Sequence, residues 1–291
     1  MTPDRIKLLA ESAALAHRLA PSDCWKDGAS GEGCAWYHGF WPYLRLLDYG
    51  SSPALHAAFY RDGLAPLAAR DAAARVLVSG AADFAMLEVA HGAFGGAAKA
   101  PRFTVTDRCA TPLALSRWYA EQAGFDIEAR AADIFSFSDD AGFDAIVTHS
   151  FLGNFPPHLR PRLLAGWRGL LRPGGRLLTV NRIRGGAAPA ETVFSTAEAD
   201  AFVARLTGDL ERHRQWLKHP VAEIAAMARA YLNEKKSYPV RTREELAALF
   251  DDAGFELEVF AELETGDPGA SRPAGPTLPG GATYMKIVAR R

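Results

Sequence analysis

The 291-residue chain is short of cysteine, of net charge and of long apolar runs. Each shortage removes a class of protein. With no run of about 18 apolar residues, no segment is expected to cross a bilayer as a helix. The 33 Lys and Arg are balanced by 34 Asp and Glu. Binding a phosphate backbone needs clustered, uncompensated cations, and stretches such as Arg182 with Arg184, or Lys235 with Lys236, are too short to supply them. No nucleic-acid partner is therefore expected. The N-terminal stretch carries Asp4, Arg5, Lys7, Glu11 and Arg18 where a signal peptide stays apolar, which predicts a cytoplasmic protein. Leu8, Leu15 and Leu19 there are spaced to share a helical face. The three cysteines, Cys24, Cys34 and Cys109, lack paired CxxC spacing. A zinc site from Cys24, Cys34 and His38 is conceivable, but reduced thiols are the simpler reading, and no metal is expected.

What is present falls into three stretches. Residues 1–72 read as helical, with an aromatic cluster of Trp25, Trp36, Tyr37, Phe40, Trp41 and Tyr43, and a break at Asp27–Gly33. From Arg75 short apolar strands alternate with amphipathic helices, the pattern of a parallel sheet covered on both faces. The strand candidates are Arg75–Ser79, Arg102–Thr106, Ile127–Ala131, Ala145–Thr148 and Arg176–Val180. Thr111-Pro112 reads as the cap and first turn of one helix, which Gly124 ends, and Pro173-Gly174-Gly175 ends another. Residues 185–237 read as a helical insertion opened by the capping box Ser195-x-x-Glu198. The alternation then resumes with a helix from Thr242, a strand over Phe255–Phe260, a Gly/Pro-rich loop at 266–282 and a last strand over Tyr284–Ala289.

In such a sheet, ligands sit beyond the carboxyl ends of the strands, where the strand order switches. The residues at those ends are suited to it. Ser79 is followed by Gly80, Ala81, Ala82 and Asp83, small enough for a ligand to approach the backbone at a helix N-terminus. The second strand delivers Asp107 and Arg108, and this carboxylate can accept both hydroxyl hydrogens of a ribose. The third delivers Asp133 with Ile134 and Phe135, an acid beside an apolar wall, which suits adenine. The fourth delivers His149, Ser150 and Phe151.

From about residue 73 onward the sequence resembles the class I S-adenosylmethionine (SAM)-dependent methyltransferases. The resemblance is carried by VLVSGAAD (Val76–Asp83), TDRC (Thr106–Cys109), AADIFSF (Ala131–Phe137), LLRPGGRLLTV (Leu170–Val180) and REELAALFDDAGFELE (Arg243–Glu258). It implies a Rossmann-like, mostly parallel seven-stranded α/β sheet with helices on both faces. The domain would comprise residues 73–184 and 238–291, with residues 1–72 as an N-terminal helical lid and 185–237 as the insertion. It further implies SAM as cofactor, with its methionine part at Gly80–Asp83, its ribose on Asp107 and its adenine on Asp133. The sequence departs from the family's turn: Val78, Ala82 and Phe84 stand where an acid and two further glycines are usual, so Asp83 could take the ammonium. The absence of GxGxxG speaks against a nicotinamide cofactor.

Methyl transfer depends mostly on positioning and water exclusion, with a base needed only for a protonated acceptor. His149 is the preferred candidate base or anchor, with Tyr37 and His38 as further catalytic candidates. Trp36, Tyr37 and Trp41 could surround a cation, while Phe151, Asn154, Asn181 and Arg182 could contact the substrate, Arg182 through a carboxylate. The lack of an NPPY-type tetrapeptide, together with the balanced charge, favours a small-molecule acceptor. Two alternatives stay open: a SAM-consuming cyclase or lyase that releases methylthioadenosine, and a non-catalytic SAM-binding module.

Overall fold

Apolar five- to seven-residue runs separated by helices cannot pair with their sequence neighbours as hairpins, so they pair in parallel through crossovers. A computed structural model shows the result for residues 1–70, 72–95, 99–185, 191, 193–263 and 282–291. β1 (Arg75–Ser79), β2 (Arg102–Asp107), β3 (Ile127–Ala131), β4 (Phe143–His149), β5 (Leu171–Ile183), β6 (Glu256–Glu262) and β7 (Thr283–Arg290) form one sheet in the order β3-β2-β1-β4-β5-β7-β6. β7 runs antiparallel to both of its neighbours, β5 and β6, and the other described pairs are parallel. The expected mostly parallel Rossmann-like sheet is therefore present, and its order reverses between β1 and β4.

Strand centres match the sequence reading, and the ends extend it. β4 begins at Phe143 and β5 at Leu171, so Pro173–Gly175 lies inside an irregular start to β5 rather than in a loop. Backbone pairing, which side-chain patterning does not report, sets those bounds. Of the loop at 266–282, only Ala282 is among the described residues.

Helices cover both faces. α3 (Ala57–Ala68), α4 (Ala85–Gly92) and α5 (Ala110–Ala123) lie on one side, where Tyr60, Leu64, Leu87 and Leu113 join Val76, Val78, Val105, Leu178 and Val180 in one core. α3 approaches so closely that a Cβ at Gly63 would lie 2.4 Å from the Leu178 side chain. It therefore packs as part of the sheet domain, although the sequence reading placed it in the lid. α6 (Arg160–Leu170) and α9 (Arg243–Asp252) cover the other face through Leu163, Leu164, Trp167, Leu246 and Phe250. α5 starts at Ala110 with Cys109 as its N-cap, so Thr111 and Pro112 sit inside its first turn and Thr111 is not the cap. Gly124 ends it in the left-handed conformation, as expected.

The remaining helices build a cap. α1 (Pro3–Asp23) buries Leu9, Ala13, Ala16 and Ala20, not the Leu8–Leu15–Leu19 face, because small residues let α2 (Ala35–Leu46) pack close. α7 (Thr196–Arg212) opens with the expected capping box, and α8 (Val221–Glu234) follows. Leu9, Phe40, Tyr43 and Leu44 share one apolar core with Phe202, Leu206, Leu210, Ile224 and Tyr231. The N-terminal helices and the insertion, far apart in sequence, thus bury their faces against each other. No described helix is long and apolar enough to cross a membrane.

Candidate functional site

The turn after β1 is built for close approach. Gly80 has φ +72°, and a Cβ there would fall 2.3 Å from the Phe151 ring, so only glycine fits. The Gly80 N–H donates to the Thr106 carbonyl, tying the turn to β2. Asp107, at the end of β2, draws the turn in further: its Oδ2 accepts the Ala81 N–H at 3.0 Å and its Oδ1 the Cys109 N–H at 2.8 Å. Burial pushes the Asp107 pKa up to about 6, and the two N–H donors hold it from rising further. Each carboxylate oxygen keeps a second lone pair for another donor.

The neighbouring strand ends complete a rim. Asp133 is exposed after β3, and its Oδ1 accepts the Phe135 N–H at 2.8 Å. Ile134 and Phe135 are half-buried against the β4-side core and make the apolar wall beside it. Ser150 follows β4 with φ +50°, a rare conformation for a residue with a Cβ, and its buried hydroxyl has no hydrogen-bond partner among the described residues. Ala82 is half-buried in the same turn.

Several expected contacts are spent elsewhere. Asp83 does not face the crevice as a free acid: it is 3% exposed, its Oδ2 is 2.6 Å from Arg45 Nη1, and its Oδ1 accepts the Ala85 N–H. Arg108 stacks on the Trp25 ring, its guanidinium carbon 3.6 Å from the ring centroid. His38 Nδ1 lies 3.3 Å from Cys24 Sγ, so this nitrogen is turned away from a substrate. Phe151 packs on Gly80 and beside Phe155, closing the turn after β1 rather than standing out as a free substrate wall. Asn181 is 1% exposed, and its amide donates to the Arg182 carbonyl.

His149 is boxed in. Its Nδ1 is 3.0 Å from Tyr60 Oη, its Nε2 is 3.3 Å from Ser51 Oγ, and its ring stacks on His56 at 5.2 Å. Burial, and then the charges of His56 and Arg182, hold its pKa well below the usual histidine range. A neutral imidazole with both nitrogens engaged is a poor proton acceptor at neutral pH.

The cap closes over the same ends. Trp36, Tyr37, Trp41 and Tyr231 form an aromatic group in which Tyr37 stacks on Trp41 at 5.5 Å and on Tyr231 at 5.9 Å. The cation over Tyr37 belongs to the protein: Lys235 Nζ is 5.0 Å from the ring centroid and donates to Asn154 Oδ1 at 3.1 Å. Burial, and then the charge of Arg182, lower the Lys235 pKa to about 8. Burial of Tyr37 raises its pKa well above the usual range, with Tyr231, Asp83 and Asp107 adding to it.

Sequence reasoning did not single out Arg45, Tyr60, Tyr231 or Lys235. A lone arginine in the apolar run of α2 was the available signal for Arg45. Lys235 had none, because its role arises from a cap helix meeting residues of two strand ends.

No family model and no curated protein matches the chain. Solved structures do. Geranyl diphosphate methyltransferase in complex with SAM is 16% identical, with a TM-score of 0.52 over 91% of this chain and 93% of that one. The N-methyltransferase NodS from Bradyrhizobium japonicum WM9, in complex with S-adenosylhomocysteine, is 15% identical, with a TM-score of 0.50 over 88% of this chain and 98% of that one. The chain has the fold of SAM-dependent methyltransferases.

Proposed function

We propose that this chain is a SAM-dependent methyltransferase acting on a small molecule, with the cofactor at the carboxyl ends of β1 to β4 and the acceptor between those ends and the helical cap. One observation carries the reading: at the switch in strand order, the partly buried Asp107 carboxylate and the Gly80–Ala81 turn are locked into a single cradle. The residues fit the cofactor. Asp107 offers lone pairs to a ribose diol, Asp133 with Ile134 and Phe135 offers an acid and an apolar wall to adenine, and the buried Ser150 hydroxyl is left to bond a ligand. The solved relatives that share the fold carry SAM or S-adenosylhomocysteine, which supports the assignment.

Bound SAM would supply an electrophilic methyl group on a sulfonium. The chain's own residues then have three tasks. The cap aromatics Trp36, Tyr37, Trp41 and Tyr231 exclude water from the crevice. Lys235 and Arg182 put positive charge at the acceptor side, which favours an acceptor carrying a carboxylate or other anion, and Asn154 orients Lys235. His149, held between Tyr60 and Ser51, is a positioning residue, so the reading needs no histidine base: the acceptor would arrive deprotonated or be a neutral nucleophile.

Products test the function. Pure protein incubated with SAM alone should leave it intact, and S-adenosylhomocysteine should accumulate only when an anionic small-molecule acceptor from a mixed panel is added. Methylthioadenosine released from SAM alone would contradict transfer and indicate intramolecular cyclisation or lysis.

A further inference from the structure

The sequence sets the first and last of its three cysteines, Cys24 and Cys109, 85 residues apart, but the fold collects them. Cys24 caps the end of α1, Cys34 is the N-cap of α2, His38 lies one turn further along α2, and Cys109 is the N-cap of α5. A short antiparallel bridge between Lys26 and Gly33 folds the chain back, so that Cys24 and Cys34 meet. Cys34 Sγ and Cys109 Sγ are 2.8 Å apart, and Cys24 Sγ is 3.3 Å from His38 Nδ1. All four donor atoms lie within 4.8 Å of one another. The three cysteines are free thiols, as expected, but they stand together rather than apart.

We infer that Cys24, Cys34, His38 and Cys109 form a closed, tetrahedral site for a zinc-type divalent cation. The donor set is three thiols and one imidazole, the chemistry of a structural zinc centre. Metal–sulfur bonds of about 2.3 Å in a tetrahedron put ligand atoms roughly 3.5–3.8 Å apart, a spacing the cluster brackets. The surroundings suit sulfur that carries negative charge. The Trp25 N–H points at Cys109 Sγ at 3.4 Å, and the Thr111 hydroxyl lies 3.3 Å from Cys24 Sγ. Arg108, stacked on Trp25, supplies compensating positive charge beside a centre that would otherwise be anionic. On binding, each thiol loses its proton to solvent as its sulfur bonds the metal, with no change of oxidation state.

The site would staple the cap to the sheet. Cys109 lies two residues after Asp107 and donates its N–H to that carboxylate, whereas the other three ligands belong to the end of α1 and to α2. With four protein ligands there is no open position, so the metal would be structural rather than catalytic.

Metal analysis of the full chain, purified under reducing conditions, tests this. One zinc per chain is expected. Chelator-treated protein should take up one cobalt(II) and develop the thiolate-to-metal charge-transfer and tetrahedral ligand-field bands, and zinc should then displace the cobalt. Cys34→Ser and His38→Ala should reduce uptake to traces, His38→Cys should retain it, and His17→Ala, at the separate His17–His219–Glu223 group, should leave it unchanged. Should Cys34→Ser fail to fold, the cobalt spectra of the wild type and His38→Cys still decide. Folded, reduced protein that takes up neither metal would overturn the site. So would a mass lower by two hydrogens with Cys34 linked to Cys109.

Discussion

Asp107 shows how one residue is prepared by its surroundings. Burial raises its pKa to about 6, so an ordinary carboxylate becomes one that titrates near physiological pH. The sign follows from which form binds. Only the ionised carboxylate can accept from both hydroxyls of a ribose, so SAM affinity should be highest above about pH 7 and fall as pH drops through about 6. Without ligand the raised value works the other way, since the folded state then holds the proton more tightly than the unfolded chain and this site contributes stability as pH falls. Calorimetric titration of SAM between pH 5 and 8 checks the first point, and Asp107→Asn should give weak binding with no such pH dependence. Asp107 and Gly80 were legible in the sequence because a strand end places its next residue in the crevice whatever surrounds it. The fate of Asp83 was not legible. Its partner Arg45 lies 38 residues upstream on another element, and no local pattern encodes that distance.

Elements were read with similar unevenness, for the same reason. β1 and β3 match the sequence reading residue for residue, because an apolar run between turn signals fixes a strand centre, while the start of β5 at Leu171 depends on its pairing with Phe143. The helices of 1–72 and 185–237 announced themselves by spacing and caps, but their shared core could not be seen, since an amphipathic face does not name its partner. The cap meets the sheet through the pair of Arg45 on α2 and Asp83 before α4, both side chains buried, with Glu88 at 3.4 Å and Arg5 also on Glu88. Removing one member of such a pair leaves a buried charge, which costs about 3–5 kcal/mol. Arg45→Met is therefore expected to lower unfolding stability by that order in urea, and Arg45→Met combined with Asp83→Leu to recover much of it. Equal losses in the single and double variants would show that the pair does not dock the cap.

At the scale of the whole molecule, a sheet whose order reverses between β1 and β4 meets a cap drawn from two distant parts of the chain, and the candidate site is where they face each other. The sheet supplies Gly80, Asp107, Asp133 and Ser150, while the cap supplies Tyr37, Trp41, Tyr231 and Lys235. The sheet half was largely predicted from sequence, because fold topology alone decides which strand ends converge. Of the cap half, Tyr37 and Trp41 were named from sequence, and Cys24, Cys34 and His38 were weighed together and set aside, but Tyr231, Lys235 and the arrival of Cys109 beside the other two cysteines were not legible, because those side chains meet only through tertiary packing. The most direct test is isothermal titration of SAM into the wild type and Asp107→Ala at neutral pH. The wild type should bind one SAM, and the folded variant should bind more weakly by about 1–3 kcal/mol, the scale of lost charge-assisted hydrogen bonds. Equal affinity in a folded variant, or no binding by the wild type, would contradict the account.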